Sequence, residues 1–378
     1  MNKFQSNATQ GISVLIWGTG KFARCLIKEL LPEVNIVAFV ESHPVDQNRI
    51  FYGCPVIAGD KIKECDYDYI IMALAAEADV RKEFHLPDTT TLSFSALPEY
   101  PRLTNRLQAW DYGRVLMPVI SVETDGLTFL FNGKDNSMSK SMFLTGETYP
   151  KAQMDFCLMM LKKRGVFDLQ KKRIFLEIGA NVGTTTLYMK KKLGNNWDAL
   201  AFEPMTENYR LLQAAIALNG MRGITCENLG ISDKPENLDF GYVVDNPGGS
   251  GADQLNGLIN FRSVSCTTID DYVQKNALHP ADIGFIWMDT EAHEAYAVDG
   301  GMKVLKDSPA LMFLEYNPSF YKKQGTEKSI VSNLSEVYTH FVCYEQIKNG
   351  RADLRPICDL VKIAGEQSYN QCNILLWK

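Results

Sequence analysis

Residues 174–204 begin Ile-Phe-Leu-Glu-Ile-Gly-Ala-Asn-Val-Gly, continue through a helical stretch, and end Leu-Ala-Phe-Glu-Pro. An apolar strand, a glycine loop, a helix and a second strand closed by an acid make a nucleotide-binding βαβ unit, which commits this part of the chain to a parallel sheet. The loop places Glu177 at the strand end, Gly179 and Gly183 where backbone passes close to a ligand, and Asn181 between them. It lacks the lysine of a triphosphate-cradling loop, so the expected ligand is not a triphosphate. Glu203 closes the second strand, where an acid can accept both hydrogen bonds of a ribose diol. S-adenosylmethionine carries that ribose without a pyrophosphate.

The rest of the chain sets the context. Its 378 residues exceed the usual size of one domain, so two are expected, each able to bury a core. A net charge of −6 without a concentrated basic surface argues against a nucleic-acid backbone as substrate. The basic clusters Lys171-Lys172-Arg173 and Lys190-Lys191-Lys192 are read as solvated. Nine cysteines occur singly, with no CxxC pair, which fits reduced thiols and a cytoplasmic location. The N-terminus has no apolar signal core, and no apolar run is long enough to span a bilayer.

Three segments are expected. Residues 1–97 form a small Rossmann-like domain: a strand over 12–17, the loop Gly18-Thr19-Gly20-Lys21, a helix to Leu31, a strand over 35–40 ending at Glu41, a strand over 69–74 and a short helix over 78–84. Residues 98–150 form a connecting segment whose strands Val119–Val122 and Leu127–Leu130 flank an Asp125-Gly126 hairpin turn. Residues 151–378 alternate strand and helix, with strands over 224–228, 283–288 and 310–314 and a helix over 206–218. An antiparallel pair, near 340–347 and 373–377, is added to one edge.

In an open parallel sheet the ligand lies beyond the carboxyl ends of the strands, which makes Glu177, Glu203, Gly230, Asp289 and Glu315 the informative positions. The densest polar cluster is Asp289-Thr290-Glu291-Ala292-His293-Glu294, directly after the apolar run 283–288. In an extended chain, spacing of two puts Asp289, Glu291 and His293 on one side, where they can hold a substrate hydroxyl and remove its proton, with His293 as the base. The same carboxylates can instead hold a divalent metal, and His293 can instead open the next helix and pack there. The glycine-rich stretch 246–251 is either a loop that closes over the site or a connection. Gly18, Gly20 and Glu41 satisfy most of a dinucleotide fingerprint.

Phe175–Gly183, Phe202-Glu203-Pro204 with Asn208, Asn228–Asp233, the Gly-Gly-Ser stretch, Thr268–Tyr272 and Met288–Glu294 together resemble, in type and order, the FkbM family of S-adenosylmethionine-dependent methyltransferases. The resemblance covers roughly residues 170–320. It implies a seven-stranded methyltransferase sheet, O-methylation of hydroxyls on sugars, glycans or secondary metabolites, and donor binding by the Glu177–Gly183 loop and Glu203, to which the strand-end position of Gly230 adds a further cofactor-binding candidate. Ala292 stands where the family's Asp-x-Glu-Gly-His-Glu segment has glycine, so a positive φ there would strain the turn.

The first domain resembles the small N-terminal domains of bacterial sugar acyltransferases, through the Gly18 loop, Phe39-Val40-Glu41 and Gly53-Cys54-Pro55-Val56-Ile57. That implies a nucleotide-sugar site, or a structural domain that makes a homodimer. Two further readings stay open: an NAD(P)- or nucleotide-sugar-dependent enzyme using the N-terminal loop, and a non-catalytic nucleotide-sugar binding protein.

Overall fold

The computed structural model describes residues 12–29, 34–42, 47, 50–74, 77–93, 110, 117–166, 171–241, 261–347, 354–366 and 372–378. The glycine-rich stretch 246–251 lies outside them. The chain divides into two compact units, residues 1–113 with 347–351 and residues 114–346 with 352–378.

Among the described residues the first unit holds a six-stranded sheet. Its strands are β1 (Ser13–Trp17), β2 (Asn35–Glu41), β3 (Ile50–Phe51), β4 (Cys54–Ala58), β5 (Tyr69–Met72) and β6 (Thr91–Ser93), in the order β3-β4-β2-β1-β5-β6. All neighbours are parallel except the short β3–β4 pair. Helices α1 (Lys21–Glu29) and α2 (Glu77–Glu83) follow β1 and β5. Leu15, Trp17, Val40, Ile70 and Met72 form its core, as continuous apolar runs in central parallel strands require.

The second unit opens with the hairpin β7 (Val119–Thr124) and β8 (Leu127–Asn132). Asp125 and Gly126 both have positive φ, 52° and 68°, the geometry for which an Asp-Gly pair is suited. Asn219, at the end of the helix over 206–218, receives a hydrogen bond from the Thr128 amide (2.9 Å) and donates to the Thr128 carbonyl (2.7 Å). The hairpin therefore belongs to this unit. Helices α3 (Met138–Thr145) and α4 (Lys151–Lys163) come next.

The main sheet then builds from β9 (Arg173–Ile178), α5 (Thr184–Leu193), β10 (Trp197–Phe202), α6 (Thr206–Leu218) and β11 (Ile224–Glu227). Three strands, β12 (Gly230–Ile231), β13 (Glu236–Gly241) and β14 (Phe261–Thr267), form a separate small sheet in the order β12-β14-β13. After α7 (Ile269–Lys275) the main sheet resumes with β15 (Ile283–Met288), α8 (Glu294–Asp299), α9 (Met302–Asp307) and β16 (Leu311–Tyr316). Helices α10 (Pro318–Gln324) and α11 (Glu327–Val337), strands β17 (His340–Cys343) and β18 (Arg355–Pro356), α12 (Leu360–Glu366) and β19 (Cys372–Trp377) complete it.

The order is β11-β10-β9-β15-β16-β19-β17-β18, with β19 antiparallel to β16 and to β17. Every residue of β15 and β16 is buried, as expected for strands covered on both faces. Among the described residues this sheet includes β18, a two-residue strand at the outer edge, below the length that leaves a periodic pattern in a sequence.

Two departures concern the small sheet and the basic clusters. The small sheet was not anticipated, although Leu238 and Phe240, and Val264 and Cys266, alternate with polar residues as half-buried strands do. Lys190 is not solvated: it is 6% exposed, and its ammonium donates to the carbonyls of Trp197 and Gly194 just past the end of α5.

Candidate functional site

The chain runs outward from β9 through β10 to β11 and returns to β15 on the other side of β9, so the strand order reverses between β9 and β15. A crevice opens beyond the carboxyl ends of strands at such a point. The register puts Ile178 opposite both Phe202 and Met288, which brings Gly179, Glu203 and Asp289 to one level. Between them lies a cleft of about 610 Å³, counting the part open to solvent.

Glu203, Asp289, Glu291 and His293 all line the cleft, with Gly179, Asn181 and Gly230. Its far side is apolar: Leu238 and Phe240 from β13, Val264 and Cys266 from β14, and Met205 ahead of α6. Glu177 and Gly183 are not lining residues. Glu177 is 2% exposed and accepts a hydrogen bond from the Thr186 hydroxyl. At Gly183 a Cβ would come 2.2 Å from Leu212 Cδ1, so its small size serves packing between the loop and α6. At Gly179, φ is +89° and a Cβ would stand 1.8 Å from the Asp289 carbonyl oxygen, so only glycine lets the loop pass the end of β15.

The Asp289–His293 segment is not extended. Glu291 and Ala292 have φ of 54° and 77°, so the chain turns sharply and the two-residue spacing does not describe it. The turn is held from inside by Glu294, which is fully buried. Glu294 Oε1 accepts from the Thr290 amide (2.8 Å), the Thr290 hydroxyl (2.9 Å) and the Ala292 amide (3.3 Å), and Oε2 from the Tyr321 hydroxyl (3.0 Å). Gln324 donates to the Ala292 carbonyl at 3.0 Å. These bonds offset the roughly 1–2 kcal/mol that a left-handed conformation costs a residue with a Cβ. His293 precedes α8 without capping it through its side chain, and it stacks on Tyr296.

Burial dominates the acids. Glu203 is 4% exposed. Its Oε2 accepts from the Asn181 amide (2.7 Å) and its Oε1 from the Met205 amide (2.8 Å). Desolvation still pushes its pKa up to about 7, against those bonds. Asp289 is pushed up to about 7 by burial and by Glu294, with a hydrogen bond to Glu315 opposing. Glu291 is pushed up to about 8 by burial, Asp289 and Glu294. Burial lowers His293 to about 4, opposed by Asp233 and Glu236, so its imidazole is neutral at pH 7. Burial also holds Glu177 well above the usual carboxylate range.

Two features fit a ribose-bearing ligand. Glu203 accepts from the Asn181 and Met205 amides and from the Asn208 side chain, which leaves one of its roughly four lone-pair directions open. Asn181 Oδ1 is buried without a partner among the described residues. Among the described residues no group of three or more His, Cys, Asp and Glu side chains is placed to hold a metal ion.

In the first unit, Glu41 Oε1 accepts from the Thr19 amide and from the Thr19 hydroxyl, both at 2.6 Å. Gly18 has φ +106° and would place a Cβ 2.9 Å from the Ala73 carbonyl oxygen, whereas Gly20 meets nothing within 4 Å. Ser232 was given no role of its own by the sequence, yet it meets a cleft residue. It is fully buried and 3.1 Å from His293 Nε2, and a separation of 61 residues leaves no local signal of that contact.

Among the described residues no helix is long and apolar enough to cross a membrane. No curated protein matches the chain. The chain is similar to the methyltransferase FkbM of Methylobacillus flagellatus, with 13% identity over 97% of this chain and 90% of that one and a TM-score of 0.39. It is also similar to a SAM-dependent O-methyltransferase of Thermotoga maritima (12% identity, 71% and 96% of the two chains, TM-score 0.34). A third similar structure is a SAM-dependent methyltransferase of Aquifex aeolicus (12%, 61% and 94%, TM-score 0.30). Residues 12–86 match a family model described as C2185-like, N-terminal. Residues 177–344 match the methyltransferase FkbM domain, and they span the glycine loop, Glu203 and the Asp289–Glu294 turn: the second unit carries a methyltransferase FkbM domain.

Proposed function

We propose that the protein is an S-adenosylmethionine-dependent O-methyltransferase whose acceptor is a hydroxyl on a small molecule, sugar or glycan. The observation that carries this reading is the convergence of Glu203, the Gly179 loop and the Asp289–His293 turn on one cleft. Bound there, S-adenosylmethionine would supply a methyl group activated by a sulfonium. Glu203 would hold the ribose through its open lone-pair direction, Gly179 admits backbone to close range, and Asn181 Oδ1 and Gly230 would face the donor. Asp289 and Glu291 would orient the acceptor hydroxyl, and His293 would take its proton. Methyl transfer is an in-line displacement, so alignment and a base supply most of the acceleration asked of the protein. We place the reaction in the cytoplasm and expect no nucleic acid as partner.

The test is isothermal titration with S-adenosylhomocysteine, then with NAD and with a UDP-sugar in separate runs. Binding of S-adenosylhomocysteine that is lost in Glu203→Ala supports the reading. No binding of it, with a clear NAD or UDP-sugar isotherm, moves the function to the N-terminal unit. Repeating the titration with magnesium and with a chelator reads whether a metal takes part.

A further inference from the structure

Ser232 follows β12, and its amide donates to the Thr267 carbonyl at 2.9 Å, which locks its backbone to the small sheet. Its side chain is fully buried, and its hydroxyl oxygen stands within reach of His293 Nε2 (3.1 Å), Asp233 Oδ1 (3.1 Å) and Glu236 Oε1 (3.5 Å). A hydroxyl has one proton to give, and a carboxylate accepts but does not donate. If Ser232 gave its proton to His293, both carboxylate oxygens would face its lone pairs with no hydrogen between them. The proton therefore goes to a carboxylate, and the Ser232 oxygen receives one from Nε2. A neutral imidazole has a single N–H, so Nδ1 is left with the lone pair. Nδ1 has no hydrogen-bond partner among the described residues, and His293 lines the cleft with its ring held by Tyr296, 4.7 Å between centroids.

We propose that Ser232, backed by Asp233 and Glu236, is a positioning residue that fixes His293 as the Nε2–H tautomer and makes Nδ1 the proton acceptor of the cleft. The inference rests on the reading of His293 as the base. In the step it serves, the acceptor hydroxyl's proton goes to Nδ1 and its oxygen lone pair bonds the methyl carbon. The electron pair of the breaking carbon–sulfur bond goes to sulfur. The imidazolium that forms keeps its Nε2–H on Ser232, and the two carboxylates behind Ser232 favour its positive charge, as an acid behind a catalytic histidine does. The three polar residues sit in one short stretch, 232–236, between β12 and the start of β13, whose Ile231 and Leu238 line the cleft.

The tautomer can be seen without knowing the acceptor. Protein labelled with ¹⁵N-histidine has five histidines, and the signals lost in His293→Gln identify the one in question. A long-range ¹H–¹⁵N spectrum at neutral pH is expected to show His293 protonated at Nε2 alone. Ser232→Ala should give a mixture of both tautomers, and Ser232→Thr should restore the single form. Should Ser232→Ala not fold, Asp233→Ala/Glu236→Ala frees the hydroxyl to donate to the ring and should move the proton to Nδ1. An Nδ1–H tautomer in the unaltered protein, or an unchanged tautomer when Ser232 or both carboxylates are removed, overturns the proposal. Titration of the same samples with S-adenosylhomocysteine separates the two readings. Binding with the wrong tautomer sinks the role of Ser232 alone. The expected tautomer without binding leaves the assignment standing and removes its catalytic meaning.

Discussion

The two units contain the same device twice and use it differently. In each, a glycine loop follows the first strand of a parallel sheet, and an acid at the end of the next strand reaches back to a loop amide: Glu41 to Thr19 at 2.6 Å, Glu203 to Asn181 at 2.7 Å. In each, the residue after the strand on the other side closes the loop's backbone, Ala73 donating to Trp17 and Asp289 to Ile178. The loop's amide needs an acceptor wherever such a turn is built, so the acid has structural work to do before any ligand is considered. What separates the units is the matching side chain, a methyl at Ala73 and a carboxyl at Asp289, and the turn that follows Asp289. The glycine-acid pattern specifies the scaffold, and the neighbouring strand end specifies the chemistry.

The largest expected effect tests the tightness of the two loops. Gly179→Ala should destabilise the second unit by about 3 kcal/mol or more, because a Cβ 1.8 Å from the Asp289 carbonyl cannot be absorbed by a side-chain shift. Gly18→Ala, with 2.9 Å to Ala73, should cost less, about 2 kcal/mol. Urea denaturation of both variants checks this, and equal losses would remove the distinction.

Next is pH. The folded protein holds protons on Glu203 up to about pH 7, against an ordinary 4.5, and on Asp289 and Glu291 up to about 7 and 8. Between about pH 4 and 8 these three acids together bind more protons in the folded than in the unfolded state, which outweighs the single proton that His293 sheds on folding below about pH 6.5, and stability falls as pH rises through that window. Glu203 alone accounts for about 3 kcal/mol at most. Melting temperature should decline from pH 5 to pH 8, and less steeply in Asp289→Asn. A flat profile would mean that these acids are solvated.

Replacing the acids separates function from scaffold. Glu203→Ala should weaken S-adenosylhomocysteine about a hundredfold, since the ribose loses its hydrogen bond to that carboxyl group, whereas Glu41→Ala should leave that affinity unchanged. Equal affinity in both variants would break the donor assignment. The smallest effect belongs to the turn: Ala292→Gly relieves a φ of 77° but loses a buried methyl and loosens the unfolded chain, so stability should change by no more than about 1 kcal/mol. A larger gain would show that the Glu294 clamp leaves strain in the turn.

Much of the fold was legible in local pattern. The runs 13–17 and 283–288, the Asp125-Gly126 turn and the helix Thr206–Leu218 appear where periodicity and turn chemistry put them, because each is decided by residues within a few positions of one another. The Gly179 loop and Glu203 were legible for the same reason. Less accessible was whatever depends on distant partners. Lys190 looked solvated until two carbonyls near the start of β10 took its ammonium, and Glu177 looked like a cleft residue although Thr186 holds it within the core. The strand-like spacing of Asp289, Glu291 and His293 gave way to a turn organised by Glu294, Tyr321 and Gln324.

By itself, then, the sequence determined a parallel α/β sheet with a glycine loop and an acid at its switch point, since hydrophobic period and glycine placement act over a single turn or strand. Tertiary structure alone decided which acids share the cleft, how far burial raises them, and that Ser232 meets His293. Those outcomes depend on desolvation and on contacts between strands that close only when the whole sheet has formed.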